Sequence, residues 1–102
     1  MKKITMIVGL FDKDTKRQEV TTIDAYKIME NVFSEYTGGA TIFEGRGVYT
    51  HDNGKIVVEP SMICYVYTES VANAKAAADV IKTVLNQESV AIEVTEVNTE
   101  FY

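Results

Sequence analysis

A single cysteine, Cys64, is all the thiol this sequence holds, so no disulfide can close within the chain. A zinc site built on several thiolates is excluded for the same reason. Cys64 lies in an apolar run over residues 62–67, where it reads as a buried, unreactive thiol. Positive charge is scarce as well: ten Lys and Arg stand against fifteen Asp and Glu, a formal net charge of -5. That balance lacks the positive field needed at a phosphate backbone or an anionic membrane surface, which argues against nucleic acid and membrane as partners. No apolar run approaches the length of a membrane span. Asp12, Lys13 and Asp14 follow the first apolar stretch at once, without a small-residue cleavage site, so that stretch makes a poor signal peptide and a cytoplasmic protein is expected. Low-complexity segments and fixed-period repeats are absent too. With 102 residues there is room for one core, and residues 1–102 are read as a single domain.

What is present is clear patterning. Residues 3–11 alternate with apolar side chains on both sides, the mark of a central strand. Thr21-Thr22-Ile23-Asp24 places a hydroxyl ahead of a carboxylate, a helix start, and Ala25, Ile28, Met29, Val32, Phe33 and Tyr36 follow along one helical stripe. Gly38-Gly39 stops that helix. A second strand opens at Thr41, is expected to break at Gly45-Arg46-Gly47, and resumes at Val48. Asp52-Asn53-Gly54 then reads as the turn of a hairpin. The return strand meets Pro60, where a bulge or an edge is expected because proline donates no ladder bond. Ser70 caps a second helix with Ala74, Ala77, Ala78, Ile81, Val84 and Leu85 inward, and residues 90–95 alternate as a last strand. The order is βαββαβ, which predicts an α+β ferredoxin-like sandwich: a four-stranded antiparallel sheet with both helices on one face. Right-handed crossovers put the first and third strands in the centre. The other sheet face has no helix to cover it, and Ile7, Phe11, Ile63, Tyr65 and Tyr67 are candidates to line it. Such a face calls for a second subunit, so the chain is expected to be its own partner, as a dimer or trimer.

Three short motifs recur together: Gly45-Arg46-Gly47-Val48-Tyr49, the spacing Gly54-x-x-x-x-Glu59-x-Ser61, and Gln87-Glu88-Ser89-Val90. In these the chain resembles a family of small bacterial proteins known only as a domain of unknown function, from residue 7 to residue 97. Tyr49 departs from that pattern, where a tryptophan is common. More coarsely the chain is similar to nitrogen-regulatory PII-like proteins. That likeness implies the βαββαβ order, a trimer, and a nucleotide held between subunits near the loop joining the second and third strands. The loop here, residues 45–61, is shorter than the regulatory loop of PII proteins and lacks its signature, which speaks against a nitrogen-signalling role.

The chemistry concentrates on that hairpin. Gly45 and Gly47 allow a close backbone approach or a bulge, and Arg46 between them offers a guanidinium fork for phosphate or carboxylate. Lys55 adds a second positive charge. Tyr49 offers a ring; Glu59, Ser61 and Glu88 complete the candidate ligand-binding set. The structural alternative is a bulge, with Arg46 paired to Glu44 or Glu59 on the surface. No catalytic residue is assigned; His51, beside Asp52, is the one histidine that a small α/β-barrel enzyme would use, although turn neighbours orient each other poorly. No spacing of metal ligands is present, and no cofactor motif: Gly-x-Gly without a following Gly-Lys-Ser/Thr is no phosphate loop. The reading from sequence is a homo-oligomer binding a small anionic ligand, a nucleotide among the candidates, between subunits near residues 45–61. Its role would be sensing or sequestration, the latter fitting a phage gene. The rivals are the small enzyme built on His51 and a module that binds protein through its sheet face or edge.

Overall fold

The computed structural model describes all 102 residues, in the order β1 (Lys2–Gly9), α1 (Thr22–Thr37), β2 (Thr41–Thr50), β3 (Ile56–Thr68), α2 (Val71–Val84) and β4 (Ala91–Glu96). The strands form one antiparallel sheet in the order β2-β3-β1-β4, with β1 and β3 central. This is the α+β sandwich that the alternation of strand and helix patterns predicts.

Local chemistry sets each helix end. Thr21 lies outside α1 in extended backbone, and its Oγ1 accepts from the Asp24 N–H at 3.1 Å. Gly38, at φ 78°, turns the chain out of the helix in the left-handed region. Ser70 Oγ accepts from the Asn73 N–H at 3.2 Å and starts α2. Ile4, Met6 and Val8 of β1 and Met62, Cys64 and Val66 of β3 point to the helices, registered as Ile4↔Val66, Met6↔Cys64 and Val8↔Met62. Ala25, Met29 and Phe33 of α1 and Ala74, Ala77, Ala78 and Ile81 of α2 close the core from above. The small side chains of α2 let it lie close to its neighbours. Val84, expected in that stripe, is instead half exposed at the last residue of α2, while Leu85 after it is buried. Burying a side chain the size of Phe33 or Met29 contributes about 1.5–3 kcal/mol.

Two expectations for the hairpin are corrected. β2 does not break at Gly45-Arg46-Gly47: its pairing with β3 runs without a slip from Thr41↔Tyr65 to Thr50↔Ile56. Pro60 makes no bulge, and pairs in register with Arg46. The Leu10 N–H donates to Pro60 O at 3.0 Å, so the donor that proline lacks would face the tail of β1, just beyond the last paired residues Gly9↔Ser61. Gly45 is there for room, since a Cβ on it would collide with the Ile63 Cδ1.

β1 pairs only with residues 61–68 of β3. Residues 46–50 and 56–60 therefore run past the sheet as a two-stranded ribbon, closed by a turn in which Gly54 takes φ 81°. Val48, Tyr49, Ile56 and Val58 are exposed on it. The helix-free sheet face carries Ile7, Phe43, Ile63, Tyr65 and Tyr67. A run of edge-to-face rings, Phe43–Tyr65–Tyr67–Phe101, crosses it at centroid distances of 6.4, 5.8 and 5.9 Å. Lys3 Nζ sits 4.4 Å from the centre of the Tyr65 ring. Phe11, the other candidate for this face, lies past the end of β1 and bridges to Gln18.

Candidate functional site

Strand alternation divides the candidate residues between two faces. Gly45, Gly47, Tyr49, Glu59 and Ser61 fall on the helix-free face of the hairpin, where the pairs are Gly45↔Ser61, Gly47↔Glu59 and Tyr49↔Val57. Arg46, one residue out of phase, points to the opposite face with Glu44 and Val58. It lines a separate hollow with Thr22 and Pro60 and has no carboxylate within ion-pair distance. Lys55 sits in the turn, exposed, its N–H donating to Asn53 Oδ1 at 3.0 Å. Period two is what separates Arg46 from Tyr49 and Glu59.

The residues on the helix-free side meet a groove of about 600 Å³ where the hairpin leaves the sheet. It is lined by Gly9 and Phe11 at the end of β1, by Tyr49, His51, Val57 and Glu59 of the hairpin, by Asp12, Lys13 and Lys16 of the loop that follows β1, here called the rim, and by Gln87, Glu88 and Ser89 ahead of β4. The volume suits a small organic ligand. Of the eight candidates, the structure brings together Tyr49, Glu59 and Glu88, together with His51, and leaves Gly45, Arg46, Gly47, Lys55 and Ser61 off the groove lining. Ser61 is buried beneath, opposite Gly45.

Glu59 is the centre of this arrangement. Its side chain is half buried and crosses from β3 to the end of β1, where Oε2 accepts from the Phe11 N–H at 2.8 Å. Gly9 makes that crossing possible: a Cβ there would stand 2.5 Å from Glu59 Oε2 and 2.7 Å from its Cδ. The Tyr49 ring meets the His51 ring edge to face at 5.3 Å. The groove thus offers an ionisable carboxylate on its wall, aromatic faces beside it and cations on its rim.

The rim loop is tied down at both ends. Asp12 Oδ1 accepts from the N–H groups of Asp14 at 2.8 Å and Thr15 at 3.1 Å. The Lys13 N–H donates to Asn86 O at 3.0 Å, and Asn86 Nδ2 donates to Asp14 Oδ2 at 2.8 Å. The Asn86 side chain, with the N–H groups of Thr15 and Asp14, holds the Asp12 carboxyl below the usual carboxylate range. Gln87 Nε2 donates to Phe11 O at 2.9 Å and to Leu85 O at 3.1 Å, tying the segment ahead of β4 to the end of β1. Gly9, Lys13, Lys16 and Gln87 were outside the sequence candidates. Gly9 reads as one more strand residue, and nothing local to residues 12–17 shows that the last third of the chain closes over them. Cys64 is buried in the core, and desolvation pushes its thiol up to about 12. No group of three or more His, Cys, Asp or Glu is gathered as a metal site, and no helix is long and apolar enough to cross a membrane.

No family model and no curated protein sequence matches the chain. Its fold is nevertheless shared. A structure described as a phage SAM lyase in complex with S-methyl-5′-thioadenosine superposes with a TM-score of 0.71 at 23% identity, over 93% of this chain and 80% of that one. The divalent ion tolerance protein CutA1 from Ehrlichia chaffeensis gives 0.58 at 17% identity, over 97% and 84%. A GlnK–ATP complex from B. subtilis gives 0.52 at 16% identity, over 94% and 80%. The chain therefore shares its fold with the phage lyase, CutA1 and GlnK structures.

Proposed function

We propose that the chain is a homo-oligomeric nucleoside-binding protein that takes S-adenosylmethionine into the groove beside the hairpin and cleaves it to S-methyl-5′-thioadenosine. The observation that carries this reading is the placement of Glu59: a half-buried carboxylate at a groove wall, given room by Gly9 and oriented by the Phe11 N–H. A fixed carboxylate favours a cationic centre, and a sulfonium is the cationic centre of S-adenosylmethionine. Tyr49 and His51, beside it, offer faces on which an adenine can stack. Support for the nucleoside comes from the phage lyase of like fold, whose structure holds S-methyl-5′-thioadenosine.

Cleavage breaks one carbon–sulfur bond. Both electrons leave with the sulfur, which turns from a sulfonium into a neutral thioether. The carbon released is completed by an oxygen of the substrate's own carboxylate, so no further reactant is needed. The charge that Glu59 attracts disappears with the bond, which favours the substrate over the product in the groove.

Ile7, Phe43 and Tyr67 are exposed on the sheet face that the groove shares, and Val48, Ile56 and Val58 on the reverse of the ribbon. A second copy over these surfaces would bury them and complete the groove between subunits. Arg46, on the reverse of the hairpin and without a partner carboxylate in its own chain, would then face a neighbour.

The test is to incubate the protein with S-adenosylmethionine and follow S-methyl-5′-thioadenosine by chromatography, with native mass spectrometry for the number of subunits. Wild type should release the thioether, and at substrate well below saturation Glu59→Gln should slow release at least about tenfold, the loss of about 1.4 kcal/mol. Binding without product would leave sequestration as the function; neither binding nor product refutes the proposal.

A further inference from the structure

We infer that Lys13 and Lys16 form a carboxylate-reading rim that selects nucleosides carrying an amino-acid tail. The inference rests on the reading of the groove proposed above. Both lysines line the same groove as Tyr49 and Glu59. Lys2 is paired with Glu96 at 2.8 Å, Arg17 with Glu19 at 2.6 Å and Lys82 with Asp79 at 3.9 Å, and Lys3 lies over the Tyr65 ring, while the unpaired Lys27, Arg46, Lys55 and Lys75 lie off the groove. Lys13 and Lys16 have no carboxylate within ion-pair distance. In a chain of net charge -5, these two ammonium groups are the cations of a lining that also carries the carboxylates of Asp12, Glu59 and Glu88.

Their placement is built into the backbone. Lys16 adopts φ 62°, the left-handed region that side-chain-bearing residues seldom enter. Its N–H donates to Asp12 O at 2.8 Å, and the Asp12 N–H donates to Arg17 O at 2.9 Å, so the loop folds back on itself. The Lys13 N–H is pinned to Asn86 O. These bonds are made by backbone groups and by Asp12, Asp14 and Asn86, and none needs either ammonium group. The backbone that carries the two exposed Lys side chains is thus fixed beside the groove, and neither ammonium group takes part in fixing it.

The charge layout then orders the ligand. The base lies at Tyr49 and His51, the sulfur at Glu59, and the tail crosses the groove to the lysine rim. Of the groups on such a tail, the carboxylate is the one an ammonium attracts. Lys13 and Lys16 are therefore specificity residues for the tail, while Glu59 reads the sulfonium.

S-adenosylhomocysteine and S-methyl-5′-thioadenosine isolate this contribution, because both are neutral thioethers and differ in whether the sulfur bears an amino-acid tail or a methyl group. Their dissociation constants would be measured for wild type, Lys13→Gln/Lys16→Gln and Lys13→Arg/Lys16→Arg. The Gln pair should weaken S-adenosylhomocysteine about tenfold and S-methyl-5′-thioadenosine less than about twofold, and the Arg pair should restore binding. Unchanged affinity for the methyl compound also reports an intact fold. Equal weakening of both ligands, or of neither, overturns the inference. So does adenosine 5′-phosphate binding wild type more tightly than S-adenosylhomocysteine and responding to the same variants, which would assign the rim to a phosphate. If wild type binds none of the three, the nucleoside reading of the groove fails, and the rim assignment falls with it.

Discussion

Gly9→Ala places one methyl group where the Glu59 carboxylate lies, and two effects of opposite sign follow. Alanine loses less backbone entropy than glycine on entering a strand, a gain of about 0.5–1 kcal/mol. Against it, the new Cβ would stand 2.5 Å from Glu59 Oε2, so the carboxylate must swing away and release the Phe11 N–H. A hydrogen bond to a charged group contributes about 1.5–3 kcal/mol. Here the side chain is partly exposed and rehydrates when displaced, so the lower part of that range applies. The steric term itself is small, because what must move is the far end of a flexible side chain and not backbone. The net expectation is a loss of about 1 kcal/mol, a fall in melting temperature of roughly 4–8 °C for a chain of this size. Thioadenosine binding, measured by titration calorimetry, should weaken about tenfold or more, because the displaced carboxylate occupies the groove it had bordered. Glu59→Gln keeps nearly the same shape and separates the loss of charge from the loss of position. A Gly9→Ala protein that melts higher than wild type and binds as well as it does would refute the argument that Gly9 exists to seat Glu59.

Three further outcomes follow from the fold. Thr21→Ala removes the oxygen that accepts from the Asp24 N–H and should cost about 1 kcal/mol, read by denaturant unfolding at unchanged m-value. Cys64, buried with its thiol pushed up to about 12, should resist a thiol reagent at pH 8 until the chain is unfolded, then react at once. Glu96 is held below its ordinary value by hydrogen bonds from Lys2 and the N-terminal amine, and Asp12 by the Asn86 side chain and nearby N–H groups. A carboxylate whose folded value is depressed adds stability above its unfolded value and loses it as pH falls through the folded one. Melting temperature should therefore decline below about pH 4.5, and Glu96→Gln should flatten that decline.

Much of this architecture is legible in local patterns, because local chemistry creates it. Thr21, Gly38 and Ser70 mark helix ends by hydrogen bonds and backbone angles that need no tertiary context, and the alternation in residues 3–11 marks a strand whoever its neighbours are. Asp52-Asn53-Gly54 marks the hairpin in the same way. Gly45 misleads for a physical reason: a glycine that makes a bulge and one that makes room for Ile63 across the strand look the same in sequence. The site is legible by halves. Tyr49 and Glu59 come from motifs in the hairpin and Glu88 from the motif ahead of β4, but Arg46, the residue that stands out most in an acidic chain, falls on the other face because strands alternate. The lysine rim and Gly9 stay silent, since their meaning depends on Asn86 and Glu59, which reach them from far along the chain.

That distance sets when the site can exist. The groove is closed by Phe11 with Glu59, Asp14 with Asn86 and Phe11 with Gln87, contacts that span 48, 72 and 76 residues. The hairpin can form early from neighbouring residues, but the groove must wait for loops of this length to close. During synthesis, a chain that has not yet released its final helix has no place to put a ligand. Ligand binding then reports the last event of folding, and a chain truncated before Asn86 would keep its hairpin and lose its site.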